Sequence, residues 1–408
     1  MTSAESGPLA GLRVVDVTQV LAGPFCGMLL ADLGADVIKV EPPSGDVSRS
    51  WGPHVAPAEP YGGYFASVNR NKRSVCLDIK TAAGRAALLD LLGTSDVLLE
   101  NFRVGVMERL GLSFEVLHER FPRLTYAAIR GFGDPRTGRS PHADEPAFDI
   151  IVQAMGGIMS ITGADADHPM KVGPGVGDIF PAALAAVGIL AAVHETARTG
   201  VGRFVDVGMY DAVLALSERI IYQHSITGES PRPQGNSHPL LCPYGVVRTS
   251  TGAVAIAAPS DRHWRLLATI MGSQELADDA RFATNAARLA VSAQVYELIE
   301  TWSMRIETGE VVRLLAGKVP CGPVWSAADI VSDPHVAARR MVVDVEHPSG
   351  GTVAVAGRAI KFAGETEPPL RRAPLLGEHT AEVREEVAAL SRSWAAQAPP
   401  GLARPARP

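Results

Sequence analysis

The amino-acid sequence predicts an α/β fold with an open, mostly parallel β-sheet in a large domain and a smaller α+β domain. Leu12–Val17 and Asp36–Val40 are short apolar strands, and the segment between them opens at Gly23-Pro24 and is helical up to Leu33. Such a β-α-β unit implies parallel strands with helices packed on their faces. The 408 residues, 46% of them hydrophobic, suffice for a sizeable core and suggest two domains.

The N-terminal half continues this alternation. The further predicted strands are Ser74–Asp78, Asp96–Phe102, Thr125–Arg130 and Arg203–Val207, and the predicted helices are Thr81–Leu92, Ser113–Arg120, Phe148–Ile161 and Tyr210–Thr227. Residues 42–73 are rich in Pro, Gly and aromatic residues and form a long irregular excursion, which in compact domains is usually functional or disordered. The sheet is Rossmann-like, but no GxGxxG follows the first strand, so no dinucleotide site is predicted.

The pattern changes after a linker at Gly228–Pro239. Tyr244–Thr249 and Ala253–Ala257 predict a hairpin, which three helices follow. Near the C-terminus, short strands and a helix after Gly377 return to the large domain. The predicted division is 1–227 for the N-terminal part of the large domain, 228–325 for the linker and small domain, 326–396 for a second linker and the C-terminal return, and 397–408 for a disordered tail.

Composition excludes several classes of function. The net charge is −6 and no Lys/Arg-rich run occurs, so we expect no nucleic-acid partner. The four cysteines are far apart and form no CxxC, which indicates a reduced, cytoplasmic protein without a structural zinc site. The first residues lack the apolar core of a signal peptide, and the apolar run Ala182–Val193 is too short to span a membrane. The histidines show no metal-ligand spacing, so we predict no metal site.

The rest of the chain is organised around the stretch Lys171–Glu195, KVGPGVGDIFPAALAAVGILAAVHE. Its glycines permit turns and close approaches of the backbone, and the uncharged, alanine-rich run from Ile179 to Val193 predicts a buried helix. Asp178 therefore lies on a glycine-rich loop at a helix N-terminus. It either caps the helix, as Asp often does, or presents its carboxylate to a substrate, and position alone does not decide between these.

Several segments occur together and in order. They are LAGLRVVDVTQVLAGPFC, LGADVIKVEPPSGD, NRNKRSVCLD, LLENFRVG, AFDIIVQAMGGIMSITG, KVGPGVGDI, TGVGRFVDVGMYDAV, GNSHPLLCPYGVVRTSTG, CGPV and APLLGEHT. From Leu9 to about Thr380 the chain resembles the class III coenzyme A transferases, the formyl-CoA transferase family that also contains the α-methylacyl-CoA racemases. The segments RSWGP, SVNRNK and PYG look most like its dicarboxylate-handling, succinyl-CoA-dependent members.

The resemblance implies a ping-pong transfer of coenzyme A between carboxylates, with CoA as co-substrate and no prosthetic group. Asp178 would attack the acyl-CoA thioester, and an aspartyl–acyl anhydride and then an aspartyl-CoA thioester would follow. A carboxylate nucleophile suits this exchange, because a Ser or Cys acyl-enzyme would pass on the acyl group instead of CoA. The family also implies an interlocked homodimer whose active site lies where a large and a small domain meet.

The resemblance further assigns CoA contacts to eight residues: the backbone of Val20, Leu21 and Ala22, the basic loop residues Lys72 and Arg73, and Asn101, Phe102 and Arg109. Alternatively, Phe102 is a core residue, Arg109 is a solvated helix residue, and Lys72 and Arg73 are surface charges. One departure concerns Pro42, which stands where the formyl-CoA transferase branch has a basic residue after Glu41. This departure puts an adenine contact there in doubt.

Phe148 and Asp149 distinguish the branches of the family. The racemases carry a His–Asp pair here, in which the His moves the α-proton of the acyl-CoA. Phe148 occupies the His position and cannot move a proton, which disfavours a racemase. Asp149 either orients the loop of the nucleophile or the acceptor, or is a charge at a helix N-terminus. A CoA-binding protein without turnover is a third possibility, against which the intact glycine-rich loop with Asp178 argues.

Overall fold

The computed structural model describes residues 7–55 and 61–397 of the chain. These residues divide into two compact units. The first falls within Met1–Ile158, Lys171–Ile226 and Ala338–Pro408, and the second within Met159–Met170 and Thr227–Ala337. The division from sequence assigned 159–170 to the large domain instead. Of the predicted disordered tail, residues 398–408 lie outside the described residues.

The strands are β1 (Arg13–Asp16), β2 (Asp36–Glu41), β3 (Arg73–Cys76), β4 (Val97–Glu100), β5 (Thr125–Arg130), β6 (Phe204–Gly208), β7 (Tyr244–Arg248), β8 (Ala253–Ala257), β9 (Cys321–Pro323), β10 (Val342–Glu346) and β11 (Thr352–Ala356). The helices are α1 (Ala22–Asp32), α2 (Gly63–Val68), α3 (Ala82–Leu92), α4 (Val106–Arg109), α5 (Phe114–Arg120), α6 (Asp149–Met155), α7 (Val176–Thr199), α8 (Met209–Leu216), α9 (Arg219–Thr227), α10 (Asp261–Ile270), α11 (Gln274–Asp278), α12 (Asn285–Ala290), α13 (Ser292–Ser303), α14 (Thr308–Leu315), α15 (Ala327–Val331), α16 (Pro334–Ala338) and α17 (Thr380–Gln397).

The first unit is built on a six-stranded sheet in the order β3-β2-β1-β4-β5-β6, in which every neighbouring pair is parallel. The predicted parallel sheet is thereby confirmed. Val14 of β1 lies between Val37 of β2 and Val97 of β4, so the chain reverses its direction of travel across the sheet beside β1. The crevice outside the carboxyl ends of the strands at such a switch point is where open α/β sheets bind ligands.

Helices cover both faces of this sheet, because alternate residues of a strand point to opposite sides. Val14 belongs to an apolar cluster with residues of α1 and α7, such as Leu30 and Ile189. Val15, its neighbour in β1, belongs to the opposite cluster, which includes Leu88 of α3. The parallel strands therefore lie in a three-layer core and are apolar on both faces.

The C-terminal return differs from the prediction. The sequence suggested that it would help to build the parallel sheet, but its strands β10 and β11 pair with each other in a separate antiparallel ribbon. Its contribution to the large unit is α17, whose Val383 and Val387 are buried in the same cluster as Leu88. Strands β10 and β11 satisfy each other's backbone along their whole length, from Val342 opposite Ala356 to Glu346 opposite Thr352. A hydrogen bond from His379 N to the Ser74 carbonyl holds the start of α17 beside β3.

The second unit is an α+β structure by itself. The predicted hairpin is present as β7 and β8, and β9 adds a third antiparallel strand. Helices α10, α13 and α14 pack against these strands around fully buried side chains such as Trp264 and Phe282. Arg288 is buried here as well, donates to the carbonyls of Cys242, Phe282 and Pro259, and pairs with Asp261 at 3.1 Å.

Candidate active site

The glycine-rich stretch leads directly into α7, which begins at Val176 and is longer than predicted at both ends. Gly175 occupies the N-cap position without a side-chain hydrogen bond, and Asp178 lies inside the first turn of the helix. Asp178 therefore does not cap the helix, as one interpretation of the sequence held. It also does not lie on the loop before the helix, as the other assumed. A carboxylate in the first turn does lie near the positive end of the helix dipole.

The carboxylate of Asp178 faces a cavity of about 360 Å³ in the first unit. None of the described residues donates a hydrogen bond to it. Burial raises the pKa of Asp178 to about 7, and the neighbouring Asp149 carboxylate contributes to the increase. A carboxylate without hydrogen-bond donors in a cavity is a candidate nucleophile, because few groups stabilise its negative charge once it is ionised.

Asp149 and Gln153, both on α6, hold the two ends of the glycine-rich loop. Asp149 Oδ1 accepts a hydrogen bond of 2.8 Å from Gly177 N, and both of its oxygens accept from Gln153 Nε2 at 2.9 Å. Gln153 Oε1 in turn accepts from Val172 N at 2.9 Å. Gln153 is fully buried, whereas Asp149 and Val172 are half-buried, so only the middle of this chain of hydrogen bonds is shielded from water. Asp149 therefore contacts the loop of the nucleophile.

Helices α6 and α7 also approach each other too closely for a side chain at Gly177. A Cβ there would lie 2.7 Å from Val152 Cγ2 and 2.9 Å from the Asp149 carbonyl oxygen. The close approach is what allows Asp149 to reach the backbone of α7. Glycine at this position is thus required for packing as well as for flexibility.

The loop between β1 and α1 forms the opposite wall of the cavity. Val20, Leu21 and Ala22 line it together with Asp178. Asn101 also lines the cavity, and its side chain accepts from Gln19 N at 2.9 Å and donates to Gln19 O at 2.8 Å. The Asn101 amide group is therefore bound to the loop backbone.

The resemblance assigned Lys72 and Arg73 to a basic loop over CoA, with surface charges as the alternative, and the structure supports neither, because both side chains are buried. Lys72 is 2% exposed, and its Nζ donates to Asp16 at 2.7 Å and to the Pro24 carbonyl at 2.8 Å. Arg73 is 7% exposed and pairs with Asp36, Glu382 and Glu386. Acidic side chains neutralise both charges inside the protein. These acidic partners come from distant parts of the chain, so the sequence around Lys72 and Arg73 did not reveal them.

The remaining predicted residues lie apart from each other. Phe102 lines the cavity of Asp178 and also a second cavity of about 780 Å³, which Gln19 likewise shares. Arg109 ends the short helix α4, is exposed, and lines neither of these cavities. Glu41 is buried and pairs with Arg49 at 2.7 Å. Its carboxylate therefore already has a partner within the protein, next to Pro42, where the sequence put an adenine contact in doubt.

Four residues of the site were missed from the sequence: Gln19, Tyr64, Arg103 and Gln153. Burial raises the pKa of Tyr64, and the carboxylates of Asp178 and Asp149 add to this increase, so its hydroxyl lies within their influence. Arg103 lines the cavity of Asp178 and is exposed. Its position next to Phe102, just past the end of β4, was a signal that could have identified it.

Comparison with known proteins identifies the family. Residues 9–380 match the family described as CoA-transferase family III. The chain belongs to this family. It is 49% identical over 383 residues to a succinyl-CoA:mesaconate CoA-transferase of Haloarcula hispanica, an alignment that covers 93% of this chain and 96% of the relative. It is 39% identical to a succinate–glutarate CoA-transferase of Agrobacterium fabrum, with 95% and 97% covered.

Solved structures support the same assignment of fold. A CAIB/BAIF family protein from Brucella suis superposes with a TM-score of 0.83 at 37% identity, covering 93% of this chain and 99% of that one. A protein of Mycobacterium tuberculosis gives a TM-score of 0.80 at 30% identity, with 92% and 98% covered. This family III protein is accordingly a transferase enzyme that uses CoA thioesters as co-substrates, as predicted from its sequence.

Proposed function

We propose that this family III enzyme moves CoA from succinyl-CoA to a second carboxylic acid through a thioester on Asp178. The single observation that carries the proposal is the Asp178 carboxylate itself, which faces a cavity, accepts no hydrogen bond from the described residues, and has a pKa raised to about 7. Such a carboxylate is poorly solvated when it is charged, so its anion is unstable and attacks an electrophile readily.

The reaction is a sequence of acyl substitutions in which atoms balance. Asp178 attacks the thioester carbonyl and the C–S bond breaks. CoA departs as its thiolate, and an aspartyl–succinyl anhydride remains on the enzyme. The thiolate then attacks the aspartyl carbonyl and releases succinate, which leaves aspartyl-CoA. The acceptor carboxylate attacks aspartyl-CoA, and the same two steps run in reverse. Each intermediate is close in energy to an acyl-CoA, so the exchange proceeds in both directions.

The two cavities that share Gln19 and Phe102 support a binding mode for CoA. The larger cavity lies outside the carboxyl ends of the first three strands. Its lining includes the exposed Lys80, whereas Arg49, which also lines it, is paired with Glu41. We propose that it takes the nucleotide part of CoA. The pantetheine arm then passes Phe102 and the backbone of Val20 to Ala22, and its sulfur reaches Asp178. Cationic side chains suit the phosphates of the nucleotide.

The acceptor is proposed to be a dicarboxylic acid. The printed names of the relatives pair succinyl-CoA with mesaconate and succinate with glutarate, all of which carry a second carboxylate. A second carboxylate needs a cation near the nucleophile. Arg103 lines the same cavity as Asp178, and among the described residues no acidic side chain is paired with it. A guanidinium binds a carboxylate through two parallel hydrogen bonds.

The proposal includes a homodimer in the cytoplasm. Leu184 and Val187 are 37% and 65% exposed on the outer face of α7, and Ile150 on α6 is 51% exposed. Apolar side chains grouped on helices that carry the site are typical of a protein–protein interface. All four cysteines are free thiols, which fits a reducing compartment.

One experiment tests the transfer and the role of Asp178 together. The protein is incubated with succinyl-CoA and a panel of free carboxylic acids in deuterated water, and products and intact protein are weighed by mass spectrometry. We expect new acyl-CoA masses without deuterium at the α-carbon and, when the acceptor is omitted, protein that carries CoA in thioester linkage. Asp178→Ala abolishes both signals.

Asp90→Ala is the matched control, because Asp90 is an exposed carboxylate on α3 that lines neither of the two cavities. It is expected to retain full activity. Transfer that persists in Asp178→Ala would refute the covalent mechanism. Deuterium gained by a 2-methylacyl-CoA in the same mixture would instead favour the racemase reaction, against which Phe148 argues.

A further inference from the structure

The backbone of Thr18–Val20 is held by side chains from four other places in the chain. Thr18 N donates to Asp16 at 2.9 Å, and the Thr18 carbonyl accepts from Lys39 Nζ at 2.8 Å. Asn101 binds both the N–H and the carbonyl of Gln19. Val20 N donates to the two oxygens of Asp46 at 3.2 and 3.4 Å. A loop with this many side-chain contacts is held in one conformation.

Val20 itself is in the left-handed region, with φ of 72°. This conformation is rare for a β-branched residue, because its Cβ substituents crowd the adjacent backbone. Such strain persists only when the surroundings enforce it, and it is concentrated at functional sites. Val20 begins the segment that lines the cavity of Asp178, and Leu21 Cδ2 lies 3.0 Å from where a Cβ on Gly175 would be, so the segment abuts the loop of the nucleophile.

Asp46 is the group that restrains Val20. It is 2% exposed and pairs with the fully buried Lys39 at 3.0 Å. Burial alone would raise the pKa of Asp46, but the Lys39 ammonium and the Ser48 hydrogen bonds hold it below its ordinary value, so the group is charged. A charged acceptor makes a stronger hydrogen bond to an N–H than a neutral one. Lys39 binds the Thr18 carbonyl as well, so the pair holds the loop at two points.

We propose that Asp46 is a positioning residue of the transferase. It holds Val20 in the left-handed conformation and thereby fixes residues 20–22 opposite Asp178, where the CoA thioester must lie. The inference rests on the proposed function for the identity of the reaction. Asp46 lines the larger cavity but not the cavity of Asp178. We therefore assign to a buried aspartate control over the geometry of a wall that it does not itself form, and the return of activity in the double variant separates this role from a direct effect on CoA.

The test combines Asp46→Ala with Val20→Gly. Removal of the acceptor lets Val20 relax out of the left-handed region, and we expect kcat/KM for succinyl-CoA to fall roughly ten- to a hundredfold. Val20→Gly alone costs about threefold, because the loop becomes more flexible. Glycine adopts a positive φ without restraint, so in the double variant kcat/KM returns to within about threefold of Val20→Gly alone. The melting temperature stays low in the double variant, because the buried Lys39 is still unpaired.

Two further variants keep the test decisive. Asp32→Ala breaks another buried ion pair, to Arg70 at 2.6 Å, away from the loop, and is expected to lower the melting temperature without changing kcat. Lys39→Met/Asp46→Ala removes both buried charges and replaces Asp46→Ala if that variant does not fold. The inference is overturned if Val20→Gly fails to restore activity, or if Asp32→Ala loses as much kcat/KM as Asp46→Ala.

Affinity for CoA alone separates this inference from the proposed function. Isothermal titration with CoA needs no turnover, and we expect Asp46→Ala to weaken binding and Val20→Gly to restore it. If the wild type forms no thioester on Asp178 but this pattern of affinities holds, the proposed chemistry fails and the positioning role remains. If the thioester forms and CoA binds equally well to all variants, the positioning role fails.

Discussion

At the scale of single residues, Asp178 occupies a place where ionisation is unfavourable and yet necessary. Burial raises the pKa of its carboxyl group, and the Asp149 carboxylate raises it further by like-charge repulsion. Only the ionised form attacks a thioester. A pKa of about 7 therefore keeps part of the enzyme in the reactive form at neutral pH and makes that form more nucleophilic than an exposed carboxylate.

This electrostatic arrangement predicts the pH dependence of activity. We expect kcat/KM for succinyl-CoA, which reports on the free enzyme, to rise with pH around a midpoint near 7, because Asp178 must lose its proton. Asp149→Asn removes the neighbouring negative charge and retains an oxygen for Gly177 N, so the midpoint should fall by about half a unit to one unit.

Steady-state rates from pH 5 to 9 measure both midpoints. Asp90→Asn, which changes an exposed carboxylate on α3, should leave the midpoint unchanged. A profile that is flat over this range would show that Asp178 does not titrate there, and an upward shift in Asp149→Asn would contradict the assigned repulsion.

At the scale of helices and strands, α6 acts on α7 through Gln153. Its side chain is the only described group that bridges Asp149 and the Val172 N–H, so it connects the glycine-rich loop to the core of the first unit. Removal of this bridge leaves the half-buried N–H of Val172 without its acceptor and leaves the half-buried Asp149 carboxylate with Gly177 N as its donor. An N–H that is left unsatisfied costs about 1–3 kcal/mol when it is buried and less when water reaches it.

Gln153→Ala is therefore expected to loosen the loop without removing the nucleophile. Amide hydrogen exchange at Val172 and Gly177 should become faster, and kcat should fall about tenfold because Asp178 is no longer held in one position. Gln274→Ala is the control, since Gln274 is an exposed residue of the second unit whose side chain, among the described residues, accepts a hydrogen bond only from Thr269 Oγ1. Unchanged exchange at both amides would mean that the loop is held by packing alone.

The same helices show why the sequence predicted the presence of a helix better than the residue at which it ends. A single helix over Phe148–Ile161 was predicted, but α6 ends at Met155 and a 3₁₀ helix follows at Ile158–Ile161. Gly156 lies where a Cβ would be 2.6 Å from Val213 Cγ1, and Gly157 has φ of 89°. Both glycines are required by the tertiary structure, so the neighbouring sequence did not show that the helix would end there.

The burial of charged side chains could not be predicted from the neighbouring sequence either. The sequence shows that Lys72 and Arg73 are adjacent basic residues, but their partners Asp16 and Glu386 are 56 and 313 residues away. By contrast, strands β1 and β2, a helix that begins close to Asp178 and the cavity wall at Val20–Ala22 were predictable, because local apolar runs, glycines and the family resemblance all point to them.

At the scale of the whole molecule, α7 has two apolar faces. One face is buried against the parallel sheet through Ala185 and Ile189, whereas Leu184 and Val187 on the other are exposed. By length and composition this helix is apolar enough to cross a membrane, but its inner face already belongs to the core cluster of a folded unit. A second copy of the chain is the partner that the family resemblance suggests for the outer face.

Val187→Asp tests whether a second copy covers this face. In an interlocked dimer the fold depends on association, so the melting temperature of the wild type should rise with protein concentration, and a charge in the interface should lower it. Val116→Asp is the matched control, because Val116 is an exposed valine on α5 and should tolerate the charge. Light scattering should give twice the 43.0 kDa of one chain for the wild type. A monomeric wild type, together with equal melting of the two variants, would exclude the dimer and leave the active site to be completed within one chain.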